Sequence, residues 1–320
     1  MKGLRKDSAT WLDADENSAG QRIDNLLVRV LKGVPRSHIH RLVRTGQVRV
    51  NSGRVDATYR VREGDRIRLP PVRTTQVRPA PVELGRRSEL LEGRILYEDE
   101  SLLVIDKPAG MAVHGGSGIS HGVIEEMRRS RPKLKFLELV HRLDRDTSGV
   151  LMLAKKRAAL VALHAAIRAG AVEKSYTLLV LGHLRLGRRE VDAPLEKFLL
   201  AGGDRRVKVA EGGQSSRTIF NALQAVGTNT LVQARLLTGR THQIRVHAAY
   251  LGHPIAGDDK YGDFATNKAL AKQGLKRMFL HASRLRIAHP STEVPLLFEA
   301  PLPADLVAFV ARLSSEYRQG

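Results

Sequence analysis

Strand-like and helix-like stretches alternate along this chain without the steady spacing of βαβ units, and that irregularity limits its fold more than any other feature. Ile95-Leu96-Tyr97, Leu102-Leu103-Val104-Ile105, Val150-Leu151-Met152-Leu153, Tyr176 to Leu181 and Leu231 to Leu237 are apolar runs of strand length. Between and after them lie helical patterns. Leu160, Leu163 and Ile167 mark one that ends before Gly170. Thr241 to Leu251 reads as a second, closed by Gly252, with Ile244, Ala248 and Leu251 facing inward. Leu306, Phe309, Val310 and Leu313 mark a last amphipathic helix. This order predicts an α+β fold. With 320 residues, 42% of them apolar, the chain can bury one large core or two. No internal repeat or low-complexity tract interrupts it.

The front of the chain reads as a separate unit. Residues 1–17 are polar and are expected to be loose and flexible. Residues 18–72 carry Ile23, Leu26, Leu27, Val30 and Leu31 on one helical face. A Gly33-Val34-Pro35 break follows, then a second helix with Ser37 as its expected cap and Ile39, Leu42 and Val43 on its apolar side. Gly46 ends it. Val48-Arg49-Val50 and Val55 flank Asn51-Ser52-Gly53, a hairpin signal. Residues 18–78 hold 14 Lys/Arg against 4 Asp/Glu, so half of the chain's net charge of +20 lies there. Arg36, Arg41 and Arg44 fall in or beside the second helix. Two short helices, a hairpin and clustered cations resemble an S4-type RNA-binding domain. The resemblance implies that Arg36, Arg41 and Arg44 face phosphates. Residues 73–92, with Pro79 and Pro81 after Pro71, read as a linker, and 93–320 as the second domain.

Composition narrows the function. The chain has 53 Lys/Arg and 33 Asp/Glu and a pI near 10.7, an excess suited to a polyanion such as nucleic acid. It has no cysteine, which excludes disulfides, thiolate metal sites and a cysteine nucleophile. The opening residues lack the apolar run of a signal peptide, and no segment has the length to span a bilayer. A cytoplasmic protein without a membrane partner is expected.

The usual catalytic signatures fail. His242 and His247 are five apart, off the shared helical face of a metal pair, with no acidic or thiol ligands clustered nearby, and no metal site is assigned. Gly115-Gly116-Ser117-Gly118 lacks the Lys-Ser/Thr ending of a phosphate loop and reads as a flexible or substrate-facing loop. Ser148 has no nucleophile-elbow context. Asp144 and Asp146 are too close in a tight turn to flank one glycosidic bond. A single carboxylate within His141-Arg142-Leu143-Asp144-Arg145-Asp146-Thr147-Ser148-Gly149 is left, an acid among cations that can serve as nucleophile, base or electrostatic anchor.

That nonapeptide resembles the signature of the RluA-type pseudouridine synthases. Further motifs of the family stand in the expected order. They are Val104-Ile105-Asp106-Lys107-Pro108-Ala109-Gly110, Glu173-Lys174-Ser175-Tyr176, Leu237 to His247 with His242-Gln243-Ile244-Arg245, Gly257-Asp258-Asp259-Lys260-Tyr261-Gly262 and Leu280-His281-Ala282. The resemblance spans residues 18 to 316. It implies a mixed, mostly antiparallel sheet in the catalytic domain and isomerisation of uridines in RNA. It points to large-subunit ribosomal RNA near the peptidyl-transferase centre as substrate, monomeric action and no cofactor. Asp144 is then the essential carboxylate, which either attacks ribose C1′ or abstracts a ribose proton to give a glycal. Arg245 pairs with it and favours its ionised form. Tyr176 stacks on the base and serves proton removal at C5. Arg142 fills the gap left by a flipped-out nucleotide, and Leu280 floors the base pocket. His141 and Thr147 are expected to shape the turn, and the segment around Asp106 to be structural. The same activity on transfer RNA, and a non-catalytic RNA-binding assembly factor, are the rival readings.

Overall fold

The computed structural model describes residues 8–31, 34–72, 88–115, 121–200 and 204–319. They form two compact units, one within residues 1–84 and the other covering 85–155 and 159–320.

The first unit runs β1 (Thr10–Asp13), α1 (Ile23–Val30), α2 (Arg36–Arg44), β2 (Arg49–Val50) and β3 (Arg66–Leu69), with an antiparallel sheet ordered β1-β3-β2. Ile23, Leu26 and Leu27 of α1 and Ile39, Leu42 and Val43 of α2 are buried together with Val48, Ile67 and Leu69. The periodicity of both helices thus identified their inward faces.

Three local expectations need correction. Residues 1–17 are not loose throughout. Thr10 to Asp13 pair with Leu69 to Arg66, because β3 offers a free edge and Leu12 packs on the core while Trp11 stays outside. The turn at Asn51-Ser52 exists, with φ of 50° and 69°, but β2 pairs with β3 rather than with the residues around Val55. The Asn51 side chain explains the choice, since its Oδ1 accepts from Arg66 N at 2.8 Å and its Nδ2 donates to Asp65 at 2.9 Å. Finally, α2 starts at Arg36 behind Pro35, so Ser37 lies inside the first turn and caps nothing.

The second unit is built on a ten-stranded sheet. Its path is β4 (Ile95–Glu98), β5 (Leu102–Lys107), β7 (Ser148–Ala154), β14 (Leu280–Ala288), β8 (Glu173–Leu181), β13 (Asn229–Leu236), β12 (Arg217–Val226) and β9 (Gly187–Asp192). The short β6 (Glu138–Leu139) adds to β7, and β15 (Pro295–Glu299) adds to β14. All pairings are antiparallel except β7 with β14. A separate hairpin joins β10 (Leu195–Leu199) and β11 (Arg205–Val209). The α+β reading with a mostly antiparallel sheet holds.

Among the described residues, five helices of eight or more residues accompany this sheet: α3 (Val123–Ser130), α4 (Arg157–Arg168), α5 (Gln243–Tyr250), α6 (Phe264–Lys272) and α7 (Ala304–Gln319). Side chains on β8 alternate between faces. Tyr176, Leu178 and Val180 join one apolar cluster with Leu280 and Ile244, whereas Leu179 joins another with Phe279, Leu306 and Phe309. Residues 88–92 are helical and Leu91 is fully buried against Leu103, Ile105 and Val123, so the second unit includes residues ahead of the boundary expected at Gly93. Residues 73–87 and Gly116 to Gly118 lie outside the described residues.

Candidate active site

The turn after β6 carries Asp144, and Thr147 N donates to Asp144 O at 3.2 Å to close it. Two anchors hold the turn. Lys107, the last residue of β5, is fully buried and donates from Nζ to the carbonyls of Pro108 and Met111 at 2.8 Å each and of Arg145 at 3.0 Å. Burial pushes its ammonium down to about 7, against the pull of Asp146 and Asp144. Yet three carbonyl oxygens match the three protons of the charged form, which favours that form. The second anchor is Arg277, which donates to Ser148 Oγ at 2.7 Å. Ser148 Oγ also meets His281 Nδ1 at 2.9 Å, across the parallel β7–β14 contact. At the same crossing Gly149 has φ of +110°, and a Cβ there would collide with the Ala282 carbonyl. Glycine is required for the two strands to approach so closely.

Arg245 reaches this turn from the first turns of α5. Its Nη1 donates to Asp144 Oδ2 at 3.1 Å. Its other edge makes a two-pronged contact with Asp258, Nε to Oδ2 and Nη2 to Oδ1, both at 2.7 Å, and Nη2 also reaches Asp259 at 3.3 Å. Burial alone would weaken the guanidinium, but the Asp258 hydrogen bonds and the charges of Asp258 and Asp144 hold its pKa above the ordinary value. The Tyr261 ring lies 5.2 Å from the guanidinium carbon, within cation–π range. The cation is therefore fixed on three sides before any substrate enters, and Asp144 is oriented by a preformed partner.

Tyr176 and Leu280 face the same cleft as Asp144. Both are buried, at 7% and 3% exposure, and Leu280 pairs with Leu178 of β8, so the ring and the leucine sit on adjacent strands. Burial, then the Asp144 charge, raises the Tyr176 pKa, which keeps the phenol neutral. The cleft has a volume of about 570 Å³, and Arg142 is exposed at its edge. The expected residues Asp144, Tyr176, Arg245, Leu280 and Arg142 are thus brought together. Arg36, Arg41 and Arg44 are exposed on α2 of the other unit, opposite Ile39, Leu42 and Val43.

Other residues at the site had no role read from the sequence. His242, weighed only as a metal ligand, places Nε2 3.7 Å from Asp144 Oδ2. It adopts a left-handed φ of 53° at the start of α5, and its Nδ1 lies 2.7 Å from Tyr261 Oη, which accepts from Val207 N at 2.9 Å. His247, five residues on, is buried between Thr218 Oγ1 and the Ala193 carbonyl, each 2.9 Å away. Asp258 and Tyr261 belong to a quoted motif, but only the fold reveals that they brace Arg245. The helix expected over Thr241 to Leu251 is present as α5, with Ile244 and Ala248 buried and Leu251 packed on the same cluster, while Gln243, Arg245 and His247 are buried as well. His141 behaves as expected of a turn residue. Its Nε2 accepts from Met152 N at 3.1 Å, and burial drives its pKa down to about 3, so it remains neutral.

Comparison with known proteins agrees with this arrangement. Residues 101–250 match the RNA pseudouridylate synthase family, and residues 21–67 match the S4 domain. A Haemophilus ducreyi protein named ribosomal large subunit pseudouridine synthase C is 50% identical over 303 residues, covering 94% of each chain. The Escherichia coli protein of the same name is 48% identical over 305 residues, covering 94% of this chain and 95% of that one. Among solved structures, human RNA pseudouridylate synthase domain containing 4 superposes with a TM-score of 0.59 at 27% identity, covering 72% of this chain and 97% of that one. The chain therefore belongs to the RluA-type RNA pseudouridine synthases, with an S4 domain ahead of the catalytic fold.

Proposed function

We propose that this enzyme converts uridines of large-subunit (23S) ribosomal RNA to pseudouridine, with Asp144 as the essential carboxylate and targets near the peptidyl-transferase centre. The observation that carries the reading is the lone carboxylate held by the braced Arg245 in a cleft shared with a buried tyrosine and leucine. The relatives' names supply the RNA class.

A uridine seated between Tyr176 and Leu280 presents its C1′ to Asp144. The N1–C1′ bond breaks, the detached uracil turns, and a C5–C1′ bond forms. C5 loses a proton and N1 gains one, so the atoms balance without oxidant or reductant. Asp144 acts at the ribose, either by attack on C1′ or by taking the C2′ proton and returning it. Tyr176 stacks on the base and lies where the C5 proton leaves. Arg142 occupies the vacated stack position when the uridine is drawn out of paired RNA. This reading includes action as a monomer in the cytoplasm.

The test is pseudouridine mapping of ribosomal and transfer RNA in cells lacking the protein, and in such cells rescued with wild type or with Asp144→Asn. Large-subunit sites should vanish and return only with wild type. Sites lost from transfer RNA instead would move the substrate. Sites restored by Asp144→Asn would remove the carboxylate from the chemistry.

A further inference from the structure

The cleft wall is electrostatically lopsided. Among the described residues, Asp144 is the only carboxylate that lines it, against Arg142, Arg168, Lys174, Arg240 and Arg245. Arg245 is held by three carboxylates, Arg240 donates to the Ser215 carbonyl at 3.1 Å, and Arg142 and Arg168 are exposed to solvent. Lys174 is different. It is partly buried, yet among the described residues its ammonium has no hydrogen bond and no ion pair.

Its place on β8 gives that isolation a direction. Lys174 and Tyr176 are two apart on one strand and project from the same face. On this face Leu178 and Tyr176 are buried and Lys174, which also lines the cleft, is only partly so. Lys174 thus lies between the base-stacking ring and the rim. A Cβ on Gly239 would be 3.5 Å from its Nζ, so the ammonium rests against the backbone of the Thr238–Arg240 loop. A cation removed from water without a counter-charge is unfavourable, and burial lowers the Lys174 pKa accordingly. An arriving anion relieves that penalty. The anionic group of an RNA nearest to a seated base, on its rimward side, is a backbone phosphate.

We propose that Lys174 forms a phosphate subsite of the cleft, in which its ammonium takes a nonbridging oxygen of the RNA backbone beside the uridine stacked on Tyr176. This rests on the function proposed above. Phosphate anchoring also explains how a general RNA feature sets the depth of the base, because the contact lies two residues along β8 from Tyr176.

The experiment measures initial rates of full-length wild type, Lys174→Met and Lys174→Arg on an unmodified in vitro transcript of 23S ribosomal RNA over a salt series. Thermal melting of each variant confirms folding. Lys174→Met should raise KM at least tenfold with kcat reduced less than twofold. It should also lower the slope of log(kcat/KM) against log salt by about 0.7–0.9, the value of one phosphate contact. Lys174→Arg should restore KM and slope, since it keeps the charge. A fall in kcat at unchanged KM would overturn the subsite and place the ammonium on the departing uracil instead. An unchanged slope, or no rescue by arginine, would overturn it as well. If wild type itself leaves the transcript unmodified, the function reading fails first, and that result is distinct from the other three.

Discussion

Asp258 illustrates how much of this site depends on residues that do not line the cleft. Its side chain is fully buried and its two oxygens hold the Nε and Nη2 of Arg245, while Oδ1 also accepts from Lys260 N and Tyr261 N at 2.8 and 3.0 Å. Asp258→Asn removes the charge with little change in shape. It leaves Arg245 with only the partly exposed Asp144 and the exposed Asp259. Breaking a buried pair on one side costs on the order of 3–5 kcal/mol, and the remaining partners place this loss near about 3 kcal/mol. A urea titration should show a lower midpoint, and kcat should fall because Asp144 loses its fixed partner; an unaltered midpoint would contradict the bracing role. Asp144, Tyr176 and Arg245 were legible as members of ordered motifs. The parts played by Asp258, Tyr261 and His242 were not, because they exist only in the folded contacts: Asp258 meets Arg245 over 13 residues, His242 meets Tyr261 over 19, and Tyr261 meets Val207 over 54.

The strands and helices themselves divide along the same line. Apolar runs such as Leu102 to Ile105 and Val150 to Leu153 identified β5 and β7 because both are buried on both faces. Thr10 to Asp13 carried no such run, so pairing with the edge of β3 decided that strand. Where elements meet at the surface, charge does the joining. Glu98 at the end of β4 accepts from Arg131, which follows α3, at 2.7 and 3.2 Å, and from Lys155, just after β7, at 2.8 Å. The Arg131 bonds, with Lys155 adding to them and burial opposing, lower the Glu98 pKa from 4.5 to about 2. A carboxylate depressed in the folded state stabilises above its unfolded pKa and loses that contribution as pH falls through the folded value. The loss therefore runs from about pH 4.5 down to about pH 2. Allowing for solvent screening, it amounts to on the order of 1–2 kcal/mol. Glu98→Gln should be less stable than wild type at pH 7 and should lose less stability across the acid window. Parallel acid-unfolding curves for the two proteins would show that the cluster contributes nothing.

Across the whole molecule, charge and chemistry are assigned to separate units. The catalytic unit holds the carboxylate, whereas half of the net charge lies within residues 18–78. Arg36, Arg41 and Arg44 are exposed on a helix whose apolar side is fully used by its own core, so replacing them leaves that core intact. The triple alanine variant should bind RNA more weakly and flatten the salt dependence of binding by about 2–3 if each cation faces one phosphate. Its kcat at saturating RNA should match wild type; a matching salt slope would mean that α2 is not the electrostatic contact. The catalytic unit, for its part, tolerates variation in an uneven way that follows from Lys107. Its three bonds end on backbone carbonyls, and a carbonyl is present whatever side chain its residue bears. Neighbouring loop positions such as Met111 and Arg145 can therefore drift in sequence, through mutation or design, with the grip undisturbed. The lysine itself has no such latitude, since its one ammonium supplies all three donors.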